Sequence, residues 1–237
     1  MEPIHGHAKA LYDLAINAFN ARNFVHAVRV LRILVDINDP FYTPFALAQM
    51  AQCFNFLGQR GLELETFKRV TQLPKAEKEL LNPTFLALCY QRSGQLEAAE
   101  GVNREVLELS PGNPNSIAAL AELSLLRGKL GEAVGWANQI KDSPQFSFQV
   151  LGRVLLAFAH GLRNDNAKSM EELQWVGNSL ASTGASLTGT WDYRDIEPLA
   201  TKLGPNSSTA ALLLETLTGK KTIAQFIEAW PKSAPAA

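Results

Sequence analysis

Cysteine is scarce in this chain: two in 237 residues, too few for a disulfide framework. Net charge is scarce as well. Twenty-two basic and 23 acidic side chains leave a formal charge of −1, without the basic excess that nucleic-acid binders carry. No apolar run reaches the roughly 18 residues that a membrane helix needs. The opening "MEPIHGHAKA" has no basic region followed by an apolar one, so no secretory signal is expected and a cytoplasmic protein is. Disorder is excluded from the other side: hydrophobic residues make up 46% and charged residues 19%, the balance of a chain that folds.

Motifs of chemistry are missing too. There is no phosphate-cradling glycine loop, no Gly-x-Ser-x-Gly elbow and no His-Glu-x-x-His pattern. His5 and His7 form an H-x-H pair ahead of the expected first helix, but no Cys/His cluster completes a metal set, so they read as a solvated terminus. His26 and His160 are isolated from any nucleophile. Acidic pairs, as in "LELETF" and "SMEEL", fall at solvated helix positions. Cys53 and Cys89 sit where a small buried residue is wanted. The expectation is a protein without cofactor, metal or catalytic residue, hence not an enzyme.

What the chain does contain is a period. Gly58, Gly94 and Gly128 each close a short polar turn, and Arg22 sits one step earlier, at spacings of 36, 36 and 34 residues. Apolar residues around each turn recur at three-and-four spacing, the pattern of paired amphipathic helices. Ala15, Ala51, Ala87 and Ala121 recur where two helices must approach closely. Prolines at 40, 44, 83, 111, 114 and 144 fall where helices stop or start. The expected units are 8–41, 44–79, 80–113 and 114–147, then a degenerate fifth at 148–181. The stretch 182–237 opens with the Ser/Thr/Gly loop "STGASLTGT". Three short helices are expected after it, near 193–203, 207–218 and 221–230, with a frayed tail "PKSAPAA".

Paired helices repeating near 34 residues resemble tetratricopeptide repeats. The third unit carries the likeness best, in Leu86, Ala87, Tyr90, Gly94, Ala99 and Pro111. The fourth matches at Leu120, Ala121, Gly128, Ala133 and Ile140. The first matches at Leu14, Ala15, Ala18, Ala27, Leu31 and Leu34, the second at Met50, Ala51, Phe54, Gly58, Phe67 and Val70. The family's early tryptophan is absent. Arg22 replaces a glycine, Glu63 an alanine and Asn103 an aromatic. The resemblance implies an all-α, right-handed superhelix (an α-solenoid) with C-terminal capping helices. It also implies a non-enzymatic protein-interaction module whose concave groove is lined by the first helix of each unit. Carried onto this chain, the groove comprises Tyr12, Ile16, Phe19, Phe45, Gln52, Phe56, Leu88, Gln91, Arg92, Glu122 and Leu125. So apolar a groove is filled by a protein or peptide partner, closed by tight curling of the solenoid, or covered by the C-terminal helices.

The first 110 residues also resemble the class II chaperones of type III secretion systems, through Leu11, Tyr12, Asp13, Leu14, Ala15 and Phe19 and the segment "ILVDINDPFYTPFALAQMAQCFNFLGQ". That likeness implies a hydrophobic secreted translocator as partner, with a homodimer possible. The chain departs from the pattern by continuing past three repeats. A self-assembling scaffold, or a regulatory or adaptor subunit of a larger complex, is the competing expectation.

Overall fold

The computed structural model describes residues 2–230. The tail 231–237, and with it the expectation of fraying, lies outside the described residues. The chain divides into two compact units, Met1–Leu109 and Ser110–Ala237. Among the described residues both are built from helices and turns alone.

The first unit holds three hairpins. They are α1 (Glu2–Asn20) with α2 (Phe24–Ile37), α3 (Tyr42–Phe56) with α4 (Arg60–Gln72), and α6 (Pro83–Arg92) with α7 (Leu96–Leu109). A single turn, α5 (Lys75–Lys78), links the second hairpin to the third. Ala15, Ala51 and Ala87 are buried at the helix crossings. Leu31, Leu34, Leu47, Met50, Phe54, Phe67 and Val70 fill the space between helices. Each fully buried side chain of that size contributes about 1.5–3 kcal/mol.

The hairpin turns share one hydrogen-bond pattern. The residue after the turn donates its N–H to the carbonyl five back: Asn23 to Ala18 (2.9 Å), Gln59 to Phe54 (2.9 Å) and Gln95 to Tyr90 (2.9 Å). The residue between them must adopt positive φ, the conformation that glycine supplies without strain. Gly58 (67°) and Gly94 (78°) do so, and Arg22 reaches 57° without being glycine.

The first helix begins at Glu2, earlier than expected, so His5 and His7 lie inside it. Both are exposed, but His5 is not merely solvated: its Nδ1 lies 3.1 Å from the Asp39 carboxylate. The reason is local. Asp39 sits in the α2–α3 turn, where its Oδ1 accepts the backbone N–H groups of Phe41 and Tyr42, each at 2.9 Å. Burial alone would disfavour the charge. The Tyr42 N–H, His5 and the Phe41 N–H outweigh that and hold the carboxyl below its usual range.

The second unit continues with α8 (Pro114–Leu126) and α9 (Leu130–Ala137), then α10 (Phe146–Leu162) and α11 (Asn166–Thr183). Its turns repeat the pattern, with Lys129 donating to Ser124 (2.8 Å) and Asp165 to His160 (2.9 Å). Gly128 and Asn164 supply the positive φ. The helix expected near 193–203 is instead a run of 3-10 turns at 193–195 and 197–202, followed by another at 204–206. Pro198 and Pro205 open two of these turns and remove the N–H groups that a continuous α-helix would need. Tyr193, Ile196 and Leu203 are fully buried there. Helices α12 (Ser207–Leu217) and α13 (Ile223–Ala229) complete the unit and pack on α11. Gly177 of α11 lies beneath the Trp230 ring, and the Trp230 indole donates to the Asn178 side chain at 3.0 Å.

Four outcomes are expected. Gly94→Ala destabilises the fold by about 1–2 kcal/mol because it forces a Cβ into positive φ. Gly101→Ala, in an open position inside α7, stabilises by about 0.5–1 kcal/mol. Urea unfolding of the two variants reads the opposite signs. At Gly177 a Cβ would overlap Trp230, so Gly177→Ala costs about 1–3 kcal/mol in the same assay. Asp39 has a folded pKa below its unfolded value, so its ionised form stabilises above the unfolded value and that contribution is lost as pH falls through the folded one. Wild type therefore loses more stability than Asp39→Ala between about pH 6 and about pH 2.5; equal losses would show the carboxylate uncoupled from folding.

Candidate interaction face

In the first unit α1 and α3 present two ring clusters. At one end Tyr12 meets Tyr42 at 5.7 Å and Phe45 at 6.4 Å between ring centroids. Phe41 lies 5.0 Å from Tyr42 and 5.5 Å from Phe45. His5 closes the cluster at 5.1 Å from Tyr42. At the other end Phe24 and Phe56 stack at 4.8 Å with an interplanar angle of 7°, and Phe19 meets both edge-on. Phe56 nevertheless stays 64% exposed and Phe41 44%. Ile16 and Leu88 are partly buried and Gln52 is exposed.

The face carries little formal charge. Lys9 and Asp13 neutralise each other at 2.5 Å. Burial pushes the Tyr12 phenol above its ordinary pKa, with Asp13 adding to the effect, so this ring stays a neutral hydroxyl at physiological pH.

The remaining expected groove residues have a different setting. Gln91 and Arg92 are buried, at 8% and 9% exposure. In the second unit Glu122 and Leu125 are closed off, at 1% and 2% exposure, so neither is an open groove position. The cause at Glu122 is visible: the Trp191 indole, from the segment after the Ser/Thr/Gly loop, donates to its carboxylate at 2.8 Å. Tyr193, two residues on, is fully buried, and its phenol is pushed up first by burial and then by the Glu122 charge. Covering by C-terminal chain is thus realised at Glu122.

Sequence reasoning missed His5, Phe24, Phe41 and Tyr42 as members of the ring clusters. Phe41 fell at the end of the first expected unit and Tyr42 in the gap before residue 44, although the aromatic density of "PFYTPF" was a signal. Phe24 opens a second helix, and only first helices were assigned to the groove.

Reactive groups lie elsewhere. Cys53 and Cys89 are free and buried. Burial pushes the Cys53 thiol up to about 11 and the Cys89 thiol higher, which keeps both protonated at neutral pH. Among the described residues no group of three or more His, Cys, Asp or Glu side chains is placed to hold a metal ion. No helix among them is long and apolar enough to cross a membrane.

Stacked hairpins with a common turn define an all-α helical-repeat protein of the solenoid class. Solved structures agree. A tetratricopeptide repeat protein from Parabacteroides merdae ATCC 43184 superposes with a TM-score of 0.54 at 16% identity, over 94% of this chain and 88% of its own. The protein described as MamA RS-1 ArsTM double mutant gives a TM-score of 0.54 at 16% identity, over 74% of this chain and 96% of its own. The likeness is one of fold. No family model matches the chain, and no curated protein matches it in sequence.

Proposed function

We propose that the protein is an interaction module that binds an extended segment of a partner protein along the α1–α3 face of its first unit. The single observation that carries this reading is the pair of ring clusters, with Phe41 and Phe56 left open to solvent. Partly exposed rings held in fixed positions bind at little cost in side-chain entropy, and each supplies a large contact area. A repeat fold suits the task, because stacked units create an extended surface without needing a cleft. The near-neutral face favours an apolar or aromatic segment over a charged tail.

Two finer readings follow. In the first the partner is a hydrophobic secreted translocator and the protein a secretion chaperone; that form rests on the sequence resemblance alone. In the second the same face serves an adaptor or regulatory subunit.

The test is selection from a displayed library of random peptides against the full chain, followed by affinity measurement on the selected sequences. Apolar and aromatic peptides are expected to be enriched. The Tyr12→Ala/Phe56→Ala/Leu88→Ala variant should fold and lose at least about tenfold in affinity, or about 1.4 kcal/mol. Undiminished binding by the variant would remove the face from consideration.

A further inference from the structure

The outward side of α2 is basic. Arg29 and Arg32 are exposed on that helix, and Arg22 is exposed at the turn before it. Among the described residues none of the three guanidinium groups is paired with a carboxylate. By contrast Arg104, which holds the place of Arg32 on α7, meets Glu100 at 2.8 Å. Asp36, one turn after Arg32, is exposed as well and offsets only part of the charge.

Two aliphatic side chains interrupt these charges. Val25 and Ile33 are 51% and 52% exposed. Val25, Arg29 and Ile33 follow one another at i, i+4 and i+8, so they form one ridge along the helix, with Arg32 beside it. The same places are open on hairpins that are already stacked: their counterparts Gly61, Arg69, Glu97 and Glu105 are exposed on α4 and α7. The ridge therefore faces outward because it lies on the outer side of a second helix, whatever precedes α1. Arg22 adds a conformational observation. Its φ is 57°, at the turn position that Gly58 and Gly94 fill in the next two hairpins. A bulky side chain is strained there, and strain of that kind collects at ligand clamps.

We infer that the outer side of α2 binds an acidic amphipathic helix of a partner protein. Charge complementarity selects the acid: unpaired guanidinium groups grip carboxylates in a two-pronged geometry. The ridge selects the helix. Val25 and Ile33 on either side of Arg29 fit between the side chains of a helix that carries a glutamate flanked by leucine-like residues. An anionic membrane fits less well. Basic helices that lie on membranes turn a broad apolar face into the lipid, whereas the apolar face of α2, with Val28, Leu31, Leu34 and Val35, is buried inside the first unit.

The test is a displayed library of helical peptides whose outer positions are drawn from Glu, Lys, Leu and Ser, selected against the full chain. Peptides rich in Glu and Leu are expected to be enriched and to bind more weakly as salt rises. Arg29→Glu/Arg32→Glu should weaken them at least about tenfold while the circular-dichroism melt stays unchanged. Arg22→Gly, which gives the turn the residue that its φ suits, should raise the melting temperature and still weaken the peptides. The ring-face variant Tyr12→Ala/Phe56→Ala/Leu88→Ala should bind them as wild type does, which separates failure of this inference from failure of the binding reading. A library that yields no acidic peptides overturns the inference. So does full affinity in the Arg29→Glu/Arg32→Glu variant, or loss of the same peptides by the ring-face variant. Capture by phosphatidylserine vesicles that the double substitution abolishes, with no acidic peptide enriched, would assign the face to a lipid surface and overturn it as well.

Discussion

A two-helix hairpin cannot bury its own apolar face; it needs another hairpin against it. That constraint organises both units of this protein. It explains why each first helix places an alanine at the crossing, Ala15, Ala51, Ala87 and Ala121, where a larger side chain would hold the helices apart. It also explains why every hairpin turn closes with the same bond to the carbonyl five residues back. A turn of one geometry sets a constant angle between the two helices, and a constant angle lets like surfaces stack repeatedly.

The same constraint decides what happens at chain ends and on first-helix surfaces. In the second unit the chain after α11 supplies its own cover. Trp191 reaches Glu122, Tyr193 and Leu203 enter the core, and Trp230 lies over Gly177. The buried Glu122 carboxylate is tolerable because an indole N–H meets it. On α3, the same repeat position holds Gln52, a neutral amide left in water. Ile16 and Leu88, at the same place in the other two first helices, are partly buried. Covering, more than composition, distinguishes the two surfaces.

Periodicity made the hairpins legible, because the spacing of Gly58, Gly94 and Gly128 marks a backbone need that recurs. It carried through even where the glycine is lost: Arg22 and Asn164 take positive φ because the turn requires it. Contacts outside the period stayed hidden. His5 meets Asp39 across 34 residues, and Trp191 meets Glu122 across 69, and neither pairing leaves a local pattern. Burial of Glu122 and Leu125 was unreadable for the same reason, since a register reports which side of a helix a residue occupies and not what lies against it. The 3-10 run was hidden because its apolar spacing resembles a helix, while Pro198 and Pro205 deny the backbone donors that a helix would use.

Three of the groups shifted from their ordinary acidity owe the shift to their place in the fold. Asp39 is held low by the turn that it caps, Cys89 is raised by burial, and Tyr193 by burial beside Glu122. Each shift traces to packing at a helix junction or in the interior. The exposed rings of Phe41 and Phe56 and their neighbours form a surface of a different kind. A surface of that kind discriminates by fit and by the polar groups it leaves unpaired in a wrong partner. Variants of one such interface differ mainly in dissociation rate. On the proposed interaction face the rings are held by the Asp39 turn at one end and by the Phe24–Phe56 stack at the other.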